Sequence, residues 1–224
     1  MSKTLKTTFR SYASIEDEAN RCRQIGNLSA ALEFNIVDFI VGPLSGHFKG
    51  RLKINIVEKV AGAPAEVCIS PDRKNINLYV EKETWDKAAN KDAQSRRVLA
   101  HEVGHIWLHA DETFQFSDVS ESEHPFIQKE YLVEDQAHSF ADCFIAPTIA
   151  ISGFETANNL LDYSELYLSI PDDTLIRQHN RAIDRRRYDF KPIYDGKICQ
   201  NCGGDKVRSL FSHTKCDTCG FSSY

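Results

Sequence analysis

Between Arg97 and His109 the chain reads Arg-Val-Leu-Ala-His-Glu-Val-Gly-His-Ile-Trp-Leu-His, and no other stretch constrains the fold as much. Val98, Leu99, Val103, Ile106, Trp107 and Leu108 make it apolar enough to be a buried helix, where only useful polar groups belong. On a helix, residues four apart stand one above the other on one face. His101 and His105 therefore point two imidazoles at one ion, and Glu102 lies a step round the helix, near the ion without binding it. A carboxylate there can take a proton from the attacking water of a hydrolysis. A pair of core histidines is the plain alternative; the apolar helical frame and the glutamate between them favour the metal.

A catalytic zinc takes three protein ligands and keeps a fourth position open. The extended pattern with a third histidine is excluded, because Leu108 stands where its glycine belongs and Asp111 where its histidine belongs. A glutamate from a second helix is the alternative. Glu134 opens the segment running to Pro147, with Ala137 and Ala141 near its face at helical spacing. Small residues there let two helices approach closely. Glu130 and Asp135 are rivals that lack this small-residue row.

The succession H-E-x-G-H-x-x-x-H, then E-x-x-A-x-x-F-A, then a proline about a turn and a half later resembles the ImmA/IrrE family of metallopeptidases. The lead-in of polar hairpin, arginine pair and small residue fits as well, and the likeness runs over about residues 15 to 190. It implies an intracellular zinc endopeptidase that cleaves a helix-turn-helix repressor and so releases stress, mobile-element or anti-phage genes. It supports His101, His105 and Glu134 as ligands and Glu102 as general base. Two positions depart from the family: His138 stands where asparagine is common, and Gln136 where an acid is common.

With 224 residues the chain can hold one fair-sized core and a small appendage. No apolar run approaches the roughly 20 residues of a membrane span. Met1 to Arg10 is basic and polar, lacks the apolar core of a secretory signal and reads as a frayed terminus. The expected location is the cytoplasm, with no membrane partner. Seven cysteines, an odd count, argue against a disulfide framework.

Ser14 is expected to cap a helix reaching about Asn27, and the apolar run Ile36 to Val41 fits strand and helix equally. Leu52 to Glu58 alternates as a strand, and residues 66–70 and 76–80 flank turn residues as a hairpin. Strand 76–80 is assigned as the edge that would take the substrate as an added strand. Asp111 to Pro125 reads as a solvated acidic connector, and further helices are expected over about 126–145, 155–167 and 173–187. The expected class is α+β: a mainly helical, zincin-like peptidase domain over 1–190 with a small antiparallel sheet, followed by a zinc ribbon over 196–224. Of the thiols outside the tail, Cys68 alone is placed to reach the open metal position as an inhibitory ligand. Cys143 falls half a turn out of phase with Glu134, and Cys22 sits in a distant helix. A small buried apolar residue is the plainer reading of Cys68.

The tail carries Cys199-x₂-Cys202, thirteen residues, then Cys216-x₂-Cys219, which resembles a zinc ribbon. Its four thiolates would close the coordination of a second, structural zinc. So small a module cannot build a core, and the metal would supply its folding free energy. From Arg177 onward ten Lys/Arg stand against five Asp/Glu, a balance of +5; the whole chain carries −5, which leaves −10 for residues 1–176. A basic tail on an acidic body points to DNA as a candidate partner, and nucleic acid as a candidate activating signal.

The activity expected is metal-assisted peptide hydrolysis with a helix-turn-helix repressor as substrate. His138, Tyr131, His124 and His179 are candidate oxyanion donors. Two other readings stand beside it: a nucleic-acid-binding regulator with a non-catalytic zinc site, which has no need of Glu102, and a peptidase with another intracellular substrate.

Overall fold

A computed structural model describes the backbone of residues 4–6, 10–29, 31–111, 115–117, 133–152, 154, 156–167, 169–188, 207–210, 213–216 and 222–223, and the side chains of 10–29, 31–111, 133–152, 154, 156–162 and 169–184. The chain divides into two compact units, Met1–Ala182 and Ile183–Tyr224.

The first unit opens with β1 (Thr4–Lys6), paired antiparallel with β5 (Gln115–Ser117). Two segments read as frayed terminus and solvated connector thus pair with each other, a long-range match that neither shows alone. Helix α1 (Tyr12–Ile25) is capped by Ser11, whose hydroxyl accepts from the Ser14 amide. The cap lies three residues before the expected Ser14, because Ile15, Ala19 and Cys22 form the buried stripe and the helix needs a full turn ahead of it. The ambiguous run after Asn35 is helical: α2 (Ile36–Phe39), a wide π turn (Ile40–Leu44) and α3 (Ser45–His47). Ile36, Phe39, Ile40 and Leu44 are all buried, which is helical and not alternating spacing. The turn widens where Pro43 withholds its N–H.

The sheet corrects the expected antiparallel one. β2 (Leu52–Val57) runs parallel to β4 (Ile76–Glu81), and β3 (Ala65–Ile69) runs antiparallel to β4, in the order β2-β4-β3. β4 takes the centre because Ile76, Leu78 and Val80 are wholly buried. Strand 76–80 therefore has partners on both sides and cannot take an added strand; β3 offers a free edge. The β3–β4 hairpin closes as expected, with Ser70 N–H donating to the Asn75 carbonyl and Arg73 in the left-handed region at φ 60°.

Helix α4 (Lys82–Ala89) leads to α5 (Ala93–His109), whose cap is Asp92; its carboxylate accepts from the Ser95 amide at 2.8 Å. α6 (Val133–Ile145) packs along α5, and α7 (Thr148–Ile151), α8 (Ala157–Tyr167) and α9 (Asp172–Tyr188) follow. Leu99, Val103 and Ile106 meet Phe140 and Phe144 in the core, with α1 and the buried face of β4 around them. Two fully buried arginines tie loops to this core: Arg23 donates to carbonyls of Leu28, Ser29, Ala31 and Phe144, and Arg96 to those of Phe34 and Ser169. Among the described residues no helix is long and apolar enough to cross a membrane.

The second unit contains a three-stranded antiparallel sheet, β6 (Val207–Leu210), β7 (His213–Cys216) and β8 (Ser222–Ser223), with β7 central. Cys199, Cys202 and Cys219 lie outside the described residues, and of Cys216 only the backbone at the end of β7 is described.

Candidate metal centre

α5 and α6 touch at Gly104. A Cβ there would sit 3.1 Å from the Ala137 carbonyl oxygen, 3.2 Å from the Ala137 Cα and 3.1 Å from the Phe140 ring. The missing side chain on α5 and the small one on α6 bring Glu134 over the histidine face. His101 Nε2 and His105 Nε2 are 2.9 Å apart, and the Glu134 carboxylate lies 3.2 Å from the first and 3.5 Å from the second. Donor atoms bound tetrahedrally to one zinc stand about 3.3 Å apart. The spacing and chemistry of this trio match that requirement, and the three could hold a metal ion. Asp135 is not in the set, and Glu130 lies outside the described residues. Hydrogen bonds from His101 and His105 hold the Glu134 carboxyl well below the usual range. Burial lowers the His101 pKa, partly opposed by Glu134, so the imidazole favours the neutral form that ligates metals. The Glu134 side chain is 71% exposed, which leaves the trio open on one side.

Glu102 faces the sheet, only 6% exposed. Burial first, then the charges of Glu134 and Glu66, push its pKa up to about 8, against a hydrogen bond from the Val67 N–H. A divalent cation beside it would pull that value back down. The bond from Val67 follows from β-sheet register. Ser70 and Pro64 make ladder bonds with Asn75 and Glu81, so Cys68 and Glu66 also face β4 through their backbone. Ala65, Val67 and Ile69 then present their N–H and C=O groups to the free edge, beside Glu102.

The other expected residues fall in different places. The His138 ring packs 4.3 Å from that of His101, centroid to centroid, so it alone of the oxyanion candidates is described next to the trio. His179 is buried elsewhere, near the Phe154 carbonyl, and Tyr131 and His124 lie outside the described residues. Cys143 faces away as expected, 2.7 Å from the Tyr12 hydroxyl. Cys68 is exposed on β3 and is not in the donor set; burial and Glu66 raise its pKa, which makes thiolate scarce. Sequence reasoning missed Glu66 and Val67, because strand pairing alone brings them to the helix. It also missed Asp142, a nearly buried carboxylate that receives Arg177, Thr174 and Arg97. A lone acid in the apolar run Phe140 to Ile145 was the available signal.

Crossing helices that gather two imidazoles and a carboxylate beside a sheet edge have the make-up of a metal-dependent peptidase site. Residues 87–182 match the family model of peptidase family M78, the IrrE N-terminal-like domain, which supports a peptidase family of the ImmA/IrrE type. The match takes in the whole of α5 and α6. A search of curated proteins finds no match to the chain.

Proposed function

We propose that the protein is a zinc-dependent endopeptidase whose substrate is a helix-turn-helix transcriptional repressor. The observation that carries the peptidase reading is the buried Glu102 carboxylate beside the three-donor set and the free edge of β3. His101, His105 and Glu134 would hold the ion. Zinc so held polarises a peptide carbonyl and acidifies a water. Glu102 takes the proton of the attacking water and passes it to the leaving amine. Its burial keeps bulk water from competing for that proton, and the outward backbone groups of Ala65 and Ile69, with the Val67 carbonyl, align the peptide as an added strand. His138, whose ring packs against that of His101, is the candidate donor to the developing oxyanion. Cys68 stays a candidate brake on the ion, not a member of its shell.

Repressor cleavage rests on the family likeness, and DNA as partner and activating signal rests on the +5 balance from Arg177 onward. The same proposal gives Cys199, Cys202, Cys216 and Cys219 a second, structural zinc, a cytoplasmic setting and no membrane partner. A regulator with a non-catalytic zinc has no use for a buried carboxylate at position 102, which costs free energy to keep charged.

The test is incubation of the full chain with a helix-turn-helix repressor encoded beside it, with and without single-stranded DNA, read on a gel. Wild type should yield two fragments. Glu102→Gln should yield none, a loss of at least a thousandfold, while its zinc content is unchanged. Cleavage by the variant at the wild-type rate removes Glu102 from the mechanism. An intact repressor with wild-type enzyme rejects this substrate.

A further inference from the structure

A cavity of about 430 Å³ lies among α1, α5, α6 and α9, next to the metal centre, with Tyr12, Arg97, His138, Asp142, Arg177 and Arg181 in its wall. His138 packs against His101, and Arg97 stands one turn before His101 on α5, so the cavity begins where the ligand trio ends. Its charges do not cancel. The Asp142 carboxylate, 4% exposed, accepts from Arg177 Nε at 2.8 Å and Nη2 at 3.1 Å, and from the Thr174 hydroxyl at 3.2 Å. Arg177 spends its remaining Nη1 on Asp173 at 2.7 Å. Arg97 reaches Asp142 only through Nε at 3.5 Å, and Arg181 Nη1 stands 4.0 Å away, an ion pair too long for a hydrogen bond.

One carboxylate thus faces three guanidiniums, and among the described residues Asp135 is the only other acid in the wall. Among the described residues, Arg181 Nη1 is buried and has no hydrogen-bond partner. The Arg181 guanidinium carbon lies 3.8 Å from the centroid of the Tyr12 ring, and both side chains line the cavity. A buried donor of this kind wants an acceptor, and an anion is the strongest.

We propose that this cavity is a carboxylate subsite of the peptidase, in which Arg181 and Arg97 receive a carboxylate of the bound peptide. The group comes from an acidic side chain or from a free C-terminus. The inference rests on the peptidase reading and adds a substrate class to it. A nucleic-acid phosphate fits less well, since the unit that holds the cavity, Met1–Ala182, has 19 Lys/Arg against 27 Asp/Glu, a balance of −8 that repels a polyanion.

Two peptide series test it with the zinc-loaded full chain: one exchanges Glu for Gln at each position in turn, the other exchanges a free for an amidated C-terminus. One exchange should lower kcat/KM at least tenfold, and which series shows it identifies the source of the carboxylate. Arg181→Gln should bring that ratio close to one with zinc content retained, and Arg97→Gln is the second variant. A ratio near one in wild type, or a ratio that survives both substitutions, overturns the subsite.

Binding gives a readout without turnover: N-acetylglutamate against N-acetylglutamine, followed on the arginine Nε–H resonances of the Glu102→Gln protein. Only the acid should shift them, and Arg181→Gln should abolish the shift. Equal shifts from both compounds, or stronger displacement by a single-stranded oligonucleotide than by inorganic phosphate, reject the proposal. If no peptide is cleaved while the acid alone shifts the resonances, the subsite stands and the peptidase reading falls.

Discussion

At the scale of single residues, Gly104 decides whether there is a site at all. Its hydrogen faces the Ala137 carbonyl and the Phe140 ring at distances where a methyl group must displace something. The backbone of α6 would have to give, and α6 carries Glu134. Gly104→Ala is therefore expected to cost about 2 kcal/mol of stability by overpacking and to weaken zinc binding at least tenfold. Urea titration and competition with a chromogenic chelator check the two effects. Zinc affinity unchanged in the variant would show that the approach of the helices does not position Glu134. Glu102 illustrates the opposite dependence. Its residue type is written in the motif, but its raised pKa comes from burial and from two acids brought by other elements, Glu134 and Glu66.

At the scale of elements, α5 depends on its cap and β3 on its edge. Asp92 accepts from the Ser95 hydroxyl and from the Ser95 amide, and those bonds hold its pKa below the ordinary value. Asp92→Ala should cost about 1 kcal/mol at pH 7. A carboxyl with a depressed folded pKa stabilises above its unfolded value and loses that contribution as pH falls through the folded one. The gap between wild type and Asp92→Ala should therefore narrow below about pH 4, read by urea unfolding at a series of pH values. A gap independent of pH would mean that the amide bonds are not charge-assisted. The choice of substrate edge belongs to this scale too. The turn residues ahead of 76–80 marked it correctly as a hairpin strand, yet three buried side chains drew it to the middle of the sheet and left the edge to residues 65–69.

At the scale of the molecule, the protein should bind two zinc ions per chain, by elemental analysis of the purified full chain. Replacing Cys199 and Cys202 by serine should reduce that number to one and leave the ion held by His101, His105 and Glu134. Two ions retained in that variant would remove the cysteines of the tail from metal binding. Residues 1–176 and 177–224 carry opposite balances of charge, and salt-dependent binding to DNA is the property that this asymmetry leads one to measure.

What the amino-acid sequence determined by itself was local: a helix with imidazoles four residues apart, a second helix with a small-residue face, a hairpin with its turn. Each follows from periodicity and from chemistry within a dozen residues, which is why His101, His105 and Glu134 could be picked out before the structure brought them together. Tertiary structure decided what depends on contacts between distant segments. It set the mixed order of the sheet, the pairing of β1 with β5, the arrival of Val67 and Glu66 at Glu102, and the three arginines gathered around Asp142. No local signal encodes these, because each is chosen by which buried surfaces fit together, and that is a property of the whole core.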